Sequence, residues 1–144
     1  MVFDDGPYVQ AACFCDLALQ DTSGAISLIR VIDTIYSSGS GPNSPEEMPS
    51  FNHSFNMVIM LKSGMARGRH DMTITPEMPN GEAKDPLLFS VHFEGEEKGA
   101  NIITKMEFQF KYEGLYWFNI KLGENLLTAI PLRVKYQRSS IIQS

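Results

Sequence analysis

Residues 102–136 read IITKMEFQFKYEGLYWFNIKLGENLLTAIPLRVKY, and the alternation in this stretch decides the fold class. From Ile102 the even positions are Ile102, Thr104, Met106, Phe108, Phe110 and Tyr112, and the odd ones from Lys105 are Lys105, Glu107, Gln109, Lys111 and Glu113. A period of two puts one set against a core and the other in water, which is the pattern of a half-buried β-strand. Past Gly114 the even positions continue as Tyr116, Phe118, Ile120 and Leu122. Past Gly123-Glu124-Asn125 they run Leu126, Thr128, Ile130, Leu132, Val134 and Tyr136. The Gly-Glu-Asn link is hairpin-sized, so the last two strands are expected to be antiparallel neighbours.

The same reading extends upstream. Strands are expected at Leu87 to Phe93, at Arg69 to Thr75 with Met72 and Ile74 inward, and at Ser54 to Lys62 with Phe55, Met57, Ile59 and Leu61 inward. Residues 76–86 and 94–100 are turn-rich separators. Tyr8 to Cys15 forms a first strand, and Gln20 to Gly24 supplies turn chemistry. The apolar run Ala25 to Tyr36 carries apolar residues on both parities, so either both faces are covered or a bulge shifts the register. Its β-branched content and the bounding Gly24 and Gly39 favour strand over helix. Residues 37–50 show no periodicity and are expected to be a mobile inter-strand loop. About eight short strands and no helix make an all-β, two-sheet antiparallel sandwich, a single domain over residues 1–144. A closed barrel is the alternative, disfavoured by the uneven separators.

The 144 residues are 43% apolar and 20% charged, enough to bury a core without disulfide staples. Twelve Lys and Arg stand against seventeen Asp and Glu, a net charge of −5 that speaks against nucleic acid or an anionic membrane as partner. No apolar run reaches the ~20 residues of a spanning helix, and the acidic N-terminus lacks the basic start of a secretory signal, so the chain is expected in the cytoplasm. Cys13 and Cys15, two apart on one strand, sit about 7 Å apart at Cα, which disfavours a mutual disulfide. They are expected to be reduced, small apolar residues, and no further soft ligands follow at metal-site spacing.

The segment Glu113-Gly114-Leu115-Tyr116-Trp117-Phe118 resembles the start of the sixth strand of immunoglobulin-like domains. There a small residue lies two before a corner Tyr, whose hydroxyl bonds back to upstream backbone, and a core residue lies two after it. Gly114, Tyr116 and Phe118 occupy those places, and Phe118 stands where antibody domains put the second disulfide Cys. Tyr112 departs from the acidic residue usual there, and no upstream Trp takes the core place on the third strand. More broadly, the first-strand Cys followed by an Asp, the Asp21 to Asp33 segment and the ending Gly-Leu-Tyr-Trp-Phe through Ile-Pro-Leu-Arg-Val are similar to a family of small bacterial proteins without assigned function. That resemblance implies a standalone sandwich and brings no catalytic residues.

No catalytic constellation is expected. His53, His70 and His92 are the only neutral-pH bases: His70 shares the inward parity of its strand, His92 has the outward parity of its own, and His53 lies at a loop end, so no two are placed together. Asp4, Asp5, Asp16, Asp21 and Asp33 match no calcium-loop spacing and read as turn residues, so neither metal nor cofactor is expected. Arg67 and Arg69, near Lys62, offer a small basic spot for an anion. The main anomaly is apolar. If the even positions of the last two strands face the core, Leu115, Trp117, Leu127, Ala129 and Pro131 face out, with Arg133 as polar rim. The strand from Ser54 adds Val58 and Met60 if it shares their sheet. Pro131 fits an edge strand, and Trp is enriched in binding hot spots. These positions point to a non-enzymatic protein-interaction module that self-associates as a homodimer or docks a protein partner. The alternative is a small-ligand or carbohydrate binder using its inter-strand loops.

Overall fold

The computed structural model describes residues 5–40 and 43–139. Among them nine strands form: β1 (Tyr8–Gln20), β2 (Ile26–Ile32), β3 (Thr34–Ser40), β4 (Phe51–Gly64), β5 (Gly68–Glu77), β6 (Leu87–Phe93), β7 (Glu96–Phe110), β8 (Gly114–Leu122) and β9 (Asn125–Ser139). They build a four-stranded sheet in the order β2-β1-β4-β7 and a five-stranded sheet in the order β3-β9-β8-β5-β6. This is an immunoglobulin-like β-sandwich, antiparallel throughout except for the β3–β9 pair.

The ninth strand comes from the run Ala25 to Tyr36, which is two strands and not one. Ile32 faces the core from the four-stranded sheet and Ile35 faces it from the five-stranded sheet. Inward residues three apart instead of two mean that the chain changes sheets between them, at Asp33. The Asp33 carbonyl accepts the Arg133 N–H at 2.9 Å, which fastens the crossing to β9. The run's mixed parity therefore reflects a change of partner, with Arg30 at φ +56° adding a local kink in β2. Strand β3 also continues through Ser37 to Ser40, paired with Tyr136 to Ser139, so the first part of the expected 37–50 loop is ladder. Farther along, Met48 packs against the core and the Pro45 carbonyl accepts the Tyr136 hydroxyl at 2.8 Å.

Between the sheets lies an aromatic core. Phe14 meets Phe55 and Phe118 edge-on at 5.1 and 4.8 Å, and Phe108 meets Phe118 at 5.5 Å, geometries that aromatic quadrupoles favour. Phe14, Phe55, Phe110, Tyr116 and Phe118 are essentially inaccessible to water. Tyr116 makes the expected corner: its hydroxyl donates to the Tyr112 carbonyl at 2.6 Å and accepts the Tyr112 N–H at 3.0 Å. Gly114 makes room for this turn. Its φ is +133°, and a Cβ there would stand 2.8 Å from the Pro79 ring.

Two stability predictions follow from the corner. Tyr116→Phe leaves both Tyr112 backbone groups without their partner and is expected to cost about 1–3 kcal/mol on urea unfolding. Gly114→Ala is expected to lose about 1 kcal/mol or more, from both the positive φ and the Pro79 contact. Unchanged unfolding midpoints for both variants would dismiss the corner as a stabilising element.

Candidate functional site

The sandwich has two outer faces, and they differ in chemistry. On the four-stranded sheet, β1 and β2 form a hairpin whose turn is held by Asp21. Its carboxylate accepts the backbone N–H groups of Ser23 and Ala25 at 2.8 and 3.1 Å. Hydrogen bonds from the Ser23 hydroxyl, then from these N–H groups, hold the Asp21 carboxyl below its usual range. Cross-strand pairing sets Val31 against Cys15 and Ile29 against Leu17, so Leu17, Leu19, Ile29 and Val31 project from one side of the hairpin. Each is between 44% and 57% exposed. Next to them, the pairs Cys13–Val58 and Val58–Ile103 carry the same face across β4 to β7. Cys15 and Val58 are buried as the floor of this face, Cys13 and Met60 are half-buried, and Ile103 is exposed at its far side.

The outer face of the five-stranded sheet is mixed. Trp117 lies between Pro131 on β9 and Glu77 on β5, and Leu115 lies opposite Arg133. Thr73, Thr75, Asn119 and Lys121 share that face by register and separate Leu88, 75% exposed on β6, from Leu115 and Trp117, so its apolar residues are scattered. Here the expected single patch is corrected. Val58 and Met60 belong to β4 in the other sheet, on the opposite side of the molecule from Leu115, Trp117, Pro131 and Arg133. Because Ala25 to Tyr36 is two strands, the strand from Ser54 is the fourth, and it pairs with β1 and β7.

Two smaller corrections concern β9. Lys121 pairs with Leu126 but Ile120 with Thr128, so Leu127 is the extra residue of a bulge. Parity flips there: Leu127 packs against the core and Leu126 is exposed. Pro131 does not lie on an edge strand, because β3 flanks β9. The β3 ladder begins at Thr34 opposite Arg133, two residues beyond Pro131, so the missing N–H faces a stretch that β3 does not cover.

Arg67 and Arg69 do not converge. Arg67 donates to the Gly64 and Ala66 carbonyls at 3.1 and 3.3 Å, and Arg69 donates to the Ser90 hydroxyl at 2.6 Å. His70 bonds to the Arg67 carbonyl at 2.9 Å and lies edge-on to Phe93. His53, expected at a loop end, sits within β4 and stacks on Phe55, while His92 is exposed opposite Arg69. Asp16 forms an ion pair with Arg30, Asp33 marks the sheet crossing, and Asp4 lies outside the described residues. Among the described residues no three His, Cys, Asp or Glu side chains gather to hold a metal ion. No helix among them is long and apolar enough to cross a membrane.

Both thiols are pushed up from their ordinary value chiefly by burial. Cys15 in the folded protein is expected to react with an aromatic disulfide reagent roughly tenfold or more slowly than in urea, since the thiolate is the nucleophile. Equal rates would contradict this burial. For Asp21 the lowered value means that its turn bonds persist above the ordinary carboxylate value and are lost as pH falls through the depressed one. The Ser23 and Ala25 amide shifts should titrate with a midpoint below about 3.9, and a midpoint at or above it would rule out the carboxylate cap.

Comparison with known proteins follows from this fold. An immunoglobulin-like protein of Pseudomonas aeruginosa is 16% identical with a TM-score of 0.45, covering 91% of this chain and 98% of that one. The CARDB domain of a Pyrococcus furiosus protein, solved in complex with di-metal ions, is 10% identical with a TM-score of 0.42, covering 92% and 96%. β-Glucosidase 3B of Thermotoga neapolitana is 9% identical with a TM-score of 0.43; the match covers 56% of this chain and 14% of the enzyme's. No curated protein matches the sequence. The model of a family of unknown function, DUF6941, matches residues 10–135, and the chain belongs to that family.

Proposed function

We propose that the protein is a non-enzymatic interaction module that self-associates through the outer face of its four-stranded sheet. The observation that supports this reading is the exposure of Leu17, Leu19, Ile29, Val31 and Ile103 on one face of one sheet. Together they present on the order of 400 Å² of apolar surface, the size of the largest patch on an ordinary monomer. A stable complex buries roughly 800 Å² per partner, with an apolar centre and a polar rim. Half of that area is supplied here, and Lys105 and Glu107 on the same face of β7 supply a rim of both signs. A rim that carries both signs is able to complement itself across a twofold axis, which is why a second copy of this chain is the occupant of choice. Two flat sheet faces also pack naturally at about 10 Å.

Val58 and Met60 remain within this surface as floor and flank, while Trp117 and Pro131 fall outside it. Cys13 and Cys15 lie beneath the contact as free thiols, consistent with a reducing cytoplasmic setting. Solution mass measured over a concentration range is expected to show a dimer, with Ile29→Lys/Val31→Lys weakening it at least tenfold at unchanged circular dichroism. Trp117→Ala should leave the mass unchanged. A wild type that stays monomeric at every concentration, or a dimer lost only on Trp117→Ala, would refute the reading.

A further inference from the structure

One long side of the sandwich is closed where the chain crosses between sheets at Asp33. The opposite side is open, because β6 ends one sheet and β7 ends the other. They join through the Glu94-Gly95 connection, and away from it they part around a groove of about 740 Å³. That volume falls within the range of small-ligand sites. Phe89, Met106 and Phe108 form its floor and Leu87 one wall. The segment before β6 brings Lys84 into it. The Lys84 ammonium donates to the Gln109 carbonyl at 3.2 Å and lies 4.3 Å from the centre of the Phe108 ring.

Lys84 is half-buried and has no carboxylate within ion-pair distance among the described residues, although Asp85 and Glu107 also border the groove. Burial pulls its ammonium below the ordinary value, and the charge of Lys111 pulls the same way. A partly dehydrated cation beside a second one, at an aromatic floor, is stabilised by an anion that brings its own apolar body. We infer that the β6–β7 groove binds an amphipathic carboxylate, its acid group at Lys84 and its hydrocarbon portion over Phe89, Met106 and Phe108.

Decanoate serves as the probe, with decanol as its uncharged counterpart, in titration calorimetry and in NMR shift mapping. Wild type is expected to bind decanoate at least tenfold more tightly than decanol. Lys84→Met should lose that margin, and Lys84→Arg should keep most of it. Shifts should concentrate at Leu87, Phe89 and residues 104–109. Ile29→Lys, on the self-association face, should bind decanoate as wild type does, so the groove and that face stand or fall separately. No decanoate binding, equal binding by Lys84→Met, or shifts centred on Leu17 to Val31 would overturn the assignment. A melting curve of Lys84→Met coincident with that of wild type keeps loss of binding apart from loss of fold.

Discussion

The change of sheet at Asp33 is the constraint from which the rest of the architecture follows. Once Ile32 is committed to one sheet and Ile35 to the other, β2 must lie along β1 and β3 must lie along β9. The chain thereby seals one side of the sandwich with a single covalent crossing, braced by the Arg133 to Asp33 hydrogen bond. The other side is left with two unpaired edges facing each other across a groove. After β3 the chain returns to the sheet of the hairpin as β4, and this placement, away from the sheet of Trp117, decides which residues look outward together.

What the sequence made legible was whatever depends on local alternation. Phe108, Phe110, Tyr116, Phe118, Ile130 and Leu132 are buried as their parity requires, and the Gly114–Tyr116 corner is formed by the hydrogen bonds that its residues imply. What escaped was whatever depends on pairing partners. Alternation says that Ile29, Val31 and Ile35 share a parity; it is silent on whether they share a sheet. The bulge at Leu127 escaped for a related reason, since an extra residue in one strand is visible only against its partner's register. Lys84 gave no signal at all, because a lysine in a Pro-rich separator looks solvated until the aromatic ring beneath it is placed.

The outer surface of the four-stranded sheet has small side chains at its centre and larger apolar ones toward its margins. Cys13, Cys15 and Val58 line its centre; Cys15 and Val58 are buried there, while their cross-strand neighbours Val31 and Ile103 are exposed. Exposed apolar residues therefore sit at the margins of this face. The opposite face carries Thr73, Thr75, Asn119 and Lys121 among its apolar residues.

Strand β3 has one neighbour, and that neighbour is the last strand of the sandwich. During synthesis β3 leaves the ribosome about a hundred residues before the backbone it will bond to, Thr34 pairing with Arg133. Until Arg133 to Ser139 emerge, Ile35 has no ladder to hold it inward, and the hairpin ahead of it can only dock on a half-built core. The five-stranded sheet thus cannot close along β3 until residues 133–139 are free to pair with it.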